Sequence, residues 1–402
     1  MIIIFLNTNI FLFLKKENNL ALHILTVDET TFKTHLEYMF IGTGRNGHAH
    51  QTGALADILS IRENDEIIFY VMKKGFFGIF KAVGTVFYDY DSYQNNNPQY
   101  LDNLLGGKTL SYRMLIAEKE VYKNYISEWD MMKNPNNILN QSIFNMQWSW
   151  IFKKLNGNRG CLSIDNYEAE LLKNILKNNN VLLSSSRNFL YEDGKISVLN
   201  NTTTYDINCQ SIIPRDNNRL NQINIEEDLR ILFTAKTNNH QILNQVLKPQ
   251  SRGLINFISN EIACSFSERR MDLLLSTISN KCLLIELKNE FIFNNGIYNQ
   301  IKEYSRWISS YKSHYQEIIP ILIIKEAKTL PSRRGVNVKF KYLSQNDMNN
   351  DIKSNWYQEI LYELNIAKIN LINESIQKLL PLEVYVFTVD DNNLLTGFQQ
   401  II

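Results

Sequence analysis

The chain has 402 residues, 44% of them hydrophobic and 21% charged, a length and balance that suit two folded domains and exclude disordered and collagen-like classes. Its 42 Lys+Arg against 41 Asp+Glu leave a net charge of +1, so any nucleic-acid or membrane partner has to be met by local patches. Cys161, Cys209, Cys264 and Cys282 lie far apart with no CxxC pair, which argues against a zinc knuckle, a redox pair or a disulfide framework and for a reduced, cytoplasmic setting.

Ile2 to Leu14 is mostly apolar, but it falls short of the roughly 20 residues a membrane helix needs and is broken by Asn7, Thr8 and Asn9. Lys15 and Lys16 follow the apolar run instead of preceding it, so a signal peptide is not expected and residues 1–20 read as an extension. Ala21–Val27, Glu66–Met72, Gly78–Phe87 and Tyr112–Ile116 then have the β-branched and aromatic character of strands. Tyr167, Leu171, Leu172 and Ile175 spell a helix over Ile164–Leu176. Residues 21–176 thus form a β-rich domain. Residues 177–221, rich in Asn, Ser and Thr, are expected to be a linker with one hairpin at Asp193-Gly194.

Residues 222–402 change character. The pattern predicts a helix over Ile225–Thr234, a mixed segment at Leu254–Phe266 and strands at Arg270–Ser276 and Cys282–Leu287. A helix over Gly296–Tyr311 and a strand at Ile318–Ile324 follow, giving a mixed sheet flanked by helices. The expected fold class is two-domain, α+β or α/β.

The strands at 270–276 and 282–287 are joined by the polar turn Ile278-Ser279-Asn280, which predicts a hairpin centred on Ser279. Residue numbers facing each other then sum to 558, so Asp272 opposes Glu286, and Lys288 shares their face by strand alternation. Opposed carboxylates repel unless a cation sits between them, and hard oxygen ligands suit Mg2+ or Mn2+. The bland alternative is a solvated hairpin. Against it, Leu283, Leu284, Ile285 and Leu287 make the second strand read as buried, and charge in a buried strand wants a reason. Gln300, Tyr304 and Trp307 fall on one face of the next helix. The two aromatics there suit core packing, and Gln300 on the same face would reach towards the site or a substrate phosphate.

Arg270-x-Asp272, Glu286-x-Lys288 and Gln300-xxx-Tyr304, preceded by an acidic helix, resemble the PD-(D/E)XK nuclease superfamily and its NucS-like branch over about residues 222–330. The resemblance implies that Asp272 and Glu286 bind a divalent metal and Lys288 assists the attacking water. It also implies that an upstream helical acid, Glu227 with Glu226 as the alternative, completes a catalytic set that includes Gln300. Arg270 and Tyr304 become candidate phosphate contacts. Glu268-Arg269 departs from the family, which has a glycine before the Arg, and Asn224 with Glu227 reads equally as a capping box.

In the amino-terminal half, Gly42-Thr43-Gly44, the run Asn64-Asp65-Glu66-Ile67-Ile68-Phe69-Tyr70, the strand Gly78–Val86 and Ser111-Tyr112-Arg113-Met114 resemble an EVE domain of the PUA-like group. Asn64 replaces the family's glycine, and Asn is the side chain that best tolerates the left-handed backbone there. Ser111 replaces a common proline. The resemblance implies a β-barrel that reads a modified base flipped into an aromatic pocket. Candidate pocket residues are Thr43, Phe69, Tyr70, Arg113, Trp148 and Trp150, although each aromatic also suits the core. His48 and His50 lack a third ligand and read as a polar loop.

Together the two resemblances imply a modification-dependent restriction endonuclease acting on double-stranded DNA, prokaryotic and cytoplasmic, with Mg2+ or Mn2+ and no other small-molecule cofactor, working as a homodimer. The alternatives are a type II enzyme reading unmodified sequence, a mismatch- or structure-directed repair nuclease, and a non-catalytic nucleic-acid binding protein. Residues 325–341 carry Lys325, Lys328, Arg333, Arg334, Lys339 and Lys341 against Glu326 alone. Arg333, Arg334 and Lys339 in this basic rim are candidate phosphate contacts. In the tail, Trp356, Tyr357 and Leu361 stand at helical spacing and suit either core packing or a dimer face.

Overall fold

Apolar runs too short for helices, bounded by polar turns, become the strands of two mixed sheets in the computed structural model. It describes residues 20–44, 52–88, 101, 104–108, 110–127, 130, 160–164, 166–178, 180–200, 203–205, 210–211, 222–263, 270–312, 314–326, 329–330, 341–342 and 351–402. The first sheet contains β1 (Leu22–Val27), β2 (Phe40–Thr43), β3 (Glu66–Val71), β4 (Gly75–Tyr88), β5 (Tyr112–Glu120), β6 (Ile126–Ser127) and β7 (Cys161–Ile164). Its path runs β2-β5-β4-β3-β1-β7, with β1 and β3 parallel and the other pairs antiparallel. Every residue of β3 is buried, as its unbroken apolar run implies. Asn64 enters this strand with φ +73, the left-handed backbone expected of it.

The expected barrel is corrected to an open sheet, because β2 pairs only with β5 and β7 only with β1 among the described residues. The short helices α1 (Glu29–Tyr38) and α2 (Thr52–Leu59) escape the sequence pattern. In α1 only Phe32 and Leu36 supply large buried apolar groups, and its start is set by Asp28 Oδ1 accepting from Thr31 N at 2.8 Å. α3 (Asn166–Lys177) begins two residues later than its periodicity suggests.

β8 (Phe189–Glu192) and β9 (Lys195–Val198) form the anticipated hairpin, and Asp193 and Gly194 both take positive φ at its turn. Phe189, Tyr191 and Ile196 are buried, and the Tyr191 ring lies 5.0 Å from Phe32 and 5.4 Å from Phe77. This part of the connecting segment therefore belongs to the amino-terminal core. β10 (Gln210–Ser211) adds to β4.

The second sheet is built from β11 (Ile255–Ala263), β12 (Arg270–Thr277), β13 (Lys281–Lys288), β14 (Glu317–Lys325), β17 (Glu383–Val389) and β18 (Leu395–Gln400), in that spatial order. The central β13-β14-β17 ladder is parallel and its flanks are antiparallel. A small separate pair, β15 (Thr329–Leu330) and β16 (Lys341–Tyr342), lies outside it. The helices around it are α4 (Glu226–Lys236), α5 (Asn295–Tyr311) and α6 (Asp351–Asn373). Alternation sends Leu283, Ile285 and Leu287 of β13 into the cluster containing Leu229, Leu232 and Phe233 of α4, whereas Cys282 and Leu284 pack with Ile301 and Tyr304 of α5. In the tail, α6 buries Ile360, Leu364, Ala367 and Leu371 and leaves Tyr362, Ile366 and Ile369 exposed on its other side.

One apolar cluster joins the halves, uniting Leu22, Leu162 and Leu172 with Phe257, Ile308 and Leu371. Polar contacts cross the same seam: Arg62 Nη1 donates to Ile255 O at 2.9 Å, and Lys312 Nζ to Glu168 Oε1 at 2.9 Å.

Candidate active site

The hairpin of β12 and β13 sets the geometry. Leu273 faces Ile285, Leu274 faces Leu284 and Ser276 faces Cys282, so the register places Asp272 opposite Glu286 as the turn chemistry predicts. Lys288 Nζ donates to Glu286 Oε1 at 2.7 Å and to Leu287 O at 2.7 Å, and it lies 3.9 Å from Asp272 Oδ2. Asp272 Oδ2 also accepts from Leu287 N at 2.8 Å. Two adjacent strands thus hold two carboxylates and an ammonium in one mostly buried group.

The helical acid that joins them is Glu226, whose Oε2 lies 3.9 Å from Lys288 Nζ. The preferred candidate, Glu227, is corrected: it turns to Arg230 Nη2 at 3.1 Å and its side chain is 39% exposed. Ile225, not Asn224, is the N-cap of α4, and Asp228 closes the first turn by accepting from Asn224 N and Ile225 N at 2.9 and 3.0 Å. Glu226 shares the helix face of Leu229 and Phe233, which pack with β13, and that face aims it at the sheet.

The electrostatics follow from burial. Loss of solvent, reinforced by the charge of Asp272, pushes the Glu286 carboxyl up to about 8 and that of Glu226 up to about 7. Burial also raises Asp272, against the pull of Lys288 and the Leu287 amide. For Lys288, burial alone would lower the pKa, but Glu286, Asp272 and Glu226 outweigh it and hold the ammonium above its ordinary value. Glu286 Oε2 is buried with no hydrogen-bond partner, a cost a protein normally avoids.

These features suit a cation of higher charge than lysine. Asp272, Glu286 and Glu226 are hard oxygen donors of the kind Mg2+ or Mn2+ takes, and the unpartnered Glu286 oxygen would gain a ligand. Among the described residues, however, no three His, Cys, Asp or Glu side chains stand at ready metal-holding spacing, because Lys288 fills the space between the carboxylates.

Other expected site residues separate from this group. Gln300 is half-buried on α5. Tyr304 is 1% exposed and its hydroxyl donates to Arg270 O at 2.8 Å, so it braces the start of β12 from the core and is corrected as a phosphate contact. Arg270 is exposed and lies 3.5 Å from Glu261. In the amino-terminal half, Phe69 packs on Phe32, His35 and Phe80, and Tyr70 on Phe76, which makes both core residues, not pocket walls. Thr43 is buried, and Arg113 is wholly buried with Nη1 on Tyr205 Oη at 2.7 Å and its guanidinium 5.0 Å above the Phe40 ring. Trp148, Trp150, Arg333, Arg334 and Lys339 lie outside the described residues, as do His48 and His50.

Sequence reasoning missed Arg230 and Glu261. Arg230 is 5% exposed and holds Glu261 Oε1 at 2.5 Å as well as Glu227. Its signal was available: a lone cation among Leu229, Ile231, Leu232 and Phe233, one helical turn after Glu226.

No family model and no curated protein matches the sequence. Among solved structures, a hypothetical protein from Leishmania major overlaps 39% of this chain and 94% of its own, at 12% identity and a TM-score of 0.28. The human THYN1 protein in complex with 5-methylcytosine-containing DNA overlaps 39% of this chain and 96% of its own, at 10% identity and a TM-score of 0.27. Protein PSPTO5229 from Pseudomonas syringae overlaps 39% and 100%, at 15% identity and a TM-score of 0.25. At such scores the likeness carries no assignment.

Proposed function

We propose that the chain is a divalent-metal-dependent DNA endonuclease of the modification-dependent restriction type. The observation that carries this is the buried, unpartnered Glu286 Oε2 beside Asp272, Glu226 and Lys288, a cluster whose carboxylates are all raised towards the protonated state. Such an arrangement is relieved by a divalent cation. Asp272, Glu286 and Glu226 would hold it. When bound, Mg2+ or Mn2+ supplies charge stabilisation at a phosphodiester and a more acidic water. Lys288 would then be placed to donate a hydrogen bond to the water or to the phosphate. Arg270, exposed at the start of β12, is available to a backbone phosphate.

For the amino-terminal half, base reading is proposed from its sequence motifs, with Phe69 and Tyr70 removed from the pocket. A double-strand cut by this design takes two copies of the chain, and homodimerisation is part of the proposal.

The test is cleavage of plasmids that differ only in base modification, with Mg2+ or Mn2+. Cutting of a modified plasmid is expected, with Asp272→Ala and Lys288→Ala each at least about 100-fold slower. If methylated, hydroxymethylated and unmodified plasmids all survive, the reading is wrong. A second reading, a non-catalytic DNA-binding protein, is favoured by one observation, the Lys288 ammonium already occupying the space among the carboxylates. It predicts DNA affinity that is indifferent to metal and to Asp272→Ala.

A further inference from the structure

Glu261 interrupts β11 in a way the strand itself does not need. Asn260 pairs with Leu273 and Ile262 with Met271, so Glu261 holds the register position facing Asp272. Its φ is +48, a left-handed backbone that a Glu adopts only when the surroundings enforce it. Its carboxylate is held by two cations, Arg230 Nη1 at 2.5 Å and Arg270 Nη1 at 3.5 Å. Arg230 belongs to α4, one turn after Glu226. The same irregularity is anchored from the other half of the molecule, where Asn260 Nδ2 donates to Asp57 Oδ1 at 2.7 Å with the two residues 1% and 3% exposed. Asp57 lies on α2, and α2 also packs against α4: Ile231 joins the cluster of Leu55, Ala56 and Ile58.

We propose that Asp57, Asn260, Glu261 and Arg230 form a positioning relay through which the amino-terminal half sets Glu226 and Asp272 in place. One helix of that half touches both the strand beside Asp272 and the helix that carries Glu226. None of the four residues reaches the ammonium of Lys288; the relay acts on where the acids stand, and the Arg230 charge also pulls the Glu226 and Asp272 carboxyls down. It rests on the proposed metal site for its consequence, and on the contacts alone for its existence.

The test uses the full chain. Asn260→Asp sets two carboxylates against each other, and adding Asp57→Asn restores the hydrogen bond with donor and acceptor exchanged. Three readouts are taken: Mn2+ affinity by calorimetry, amide exchange across residues 226–231, and melting temperature. The single variant is expected to bind Mn2+ about 10-fold more weakly and to exchange faster at 226–231, and the double variant to recover both. Arg230→Lys, which keeps the charge but loses the fork, is expected to weaken Mn2+ binding likewise, and it serves if Asn260→Asp does not fold. Wild-type affinity and exchange in Asn260→Asp, or failure of the double variant to recover them, would overturn the relay. If the unaltered protein binds no Mn2+, the metal reading fails and the exchange measurement alone decides the relay.

Discussion

Glu226 and Glu286 carry protons in the folded, metal-free protein at pH values where they would be ionised in the unfolded chain, because burial and Asp272 raise them to about 7 and about 8. The folded state therefore binds more protons, and the stability these groups contribute is complete below their unfolded values near 4.5 and lost as the pH rises through about 7 and 8. The melting temperature in EDTA is expected to fall between pH 6 and pH 9, and Glu286→Gln to flatten that slope. Mg2+ should restore stability at the alkaline end, since it competes with the same protons. A slope unchanged in Glu286→Gln would mean that Glu286 is not the titrating group.

A second residue cluster invites a catalytic reading and does not support one. Ser163 Oγ lies 2.9 Å from His23 Nδ1, and His23 Nε2 lies 3.0 Å from Asp65 Oδ2, the order of a nucleophile, a base and an orienting acid. Their exposures are 3%, 1% and 4%, so no substrate reaches the serine. Asp65 also accepts from Arg62 N at 2.8 Å and Ala21 N at 3.2 Å, which makes the group a polar clip across β7, β1 and the entry to β3. Ser163→Ala should cost about 1–2 kcal/mol in urea unfolding and leave any DNA cleavage untouched; loss of cleavage with unchanged stability would reverse that assignment.

At the scale of elements, α3 and α5 are tied by a wholly buried ion pair, Lys312 with Glu168, at 0% and 1% side-chain exposure. Removing one partner strands a buried charge, so Lys312→Met should destabilise by about 3–5 kcal/mol, whereas adding Glu168→Leu should recover much of that loss. Chemical denaturation of the two single variants and the double variant measures it; additive losses would show that the two charges do not depend on each other.

The β12–β13 hairpin was legible because a polar turn between two apolar runs leaves few registers, and one of them aligns Asp272 with Glu286. Helix α5 was legible from its apolar face. The choice between Glu226 and Glu227 was missed, although adjacent helical residues differ by about 100° in direction and Glu226 shares the face of Leu229 and Phe233, which packs on β13. β17 and β18 were missed because they follow α6 in a tail whose periodicity pointed only to helix, and α1 because its short polar sequence relies on a cap. Phe69 and Tyr70 failed as pocket residues for a general reason: an aromatic in an unbroken apolar strand is more often core than surface.

Across the whole molecule, the shared apolar cluster and the contacts Arg62–Ile255, Asp57–Asn260 and Glu168–Lys312 bind the halves along one seam. Among the described residues no helix is long and apolar enough to cross a membrane. The basic residues 325–341, mostly outside the described residues, are the local patch proposed to meet DNA in a chain whose net charge is only +1. A contact of that size predicts non-specific affinity that weakens steeply with salt, and filter binding to random duplex between 50 and 200 mM salt checks it, a flat response counting against the patch.

The role proposed for the Asp272, Glu286, Glu226 and Lys288 cluster is to cut DNA with a divalent metal. Its most direct test is the rate at which the protein with Mg2+ linearises a supercoiled plasmid carrying modified bases, compared with Glu286→Gln under the same conditions. The expected result is metal-dependent cutting by the unaltered chain and a loss of about 1,000-fold or more in the variant, whose amide keeps the shape but not the charge. Equal rates in the two proteins would contradict the claim.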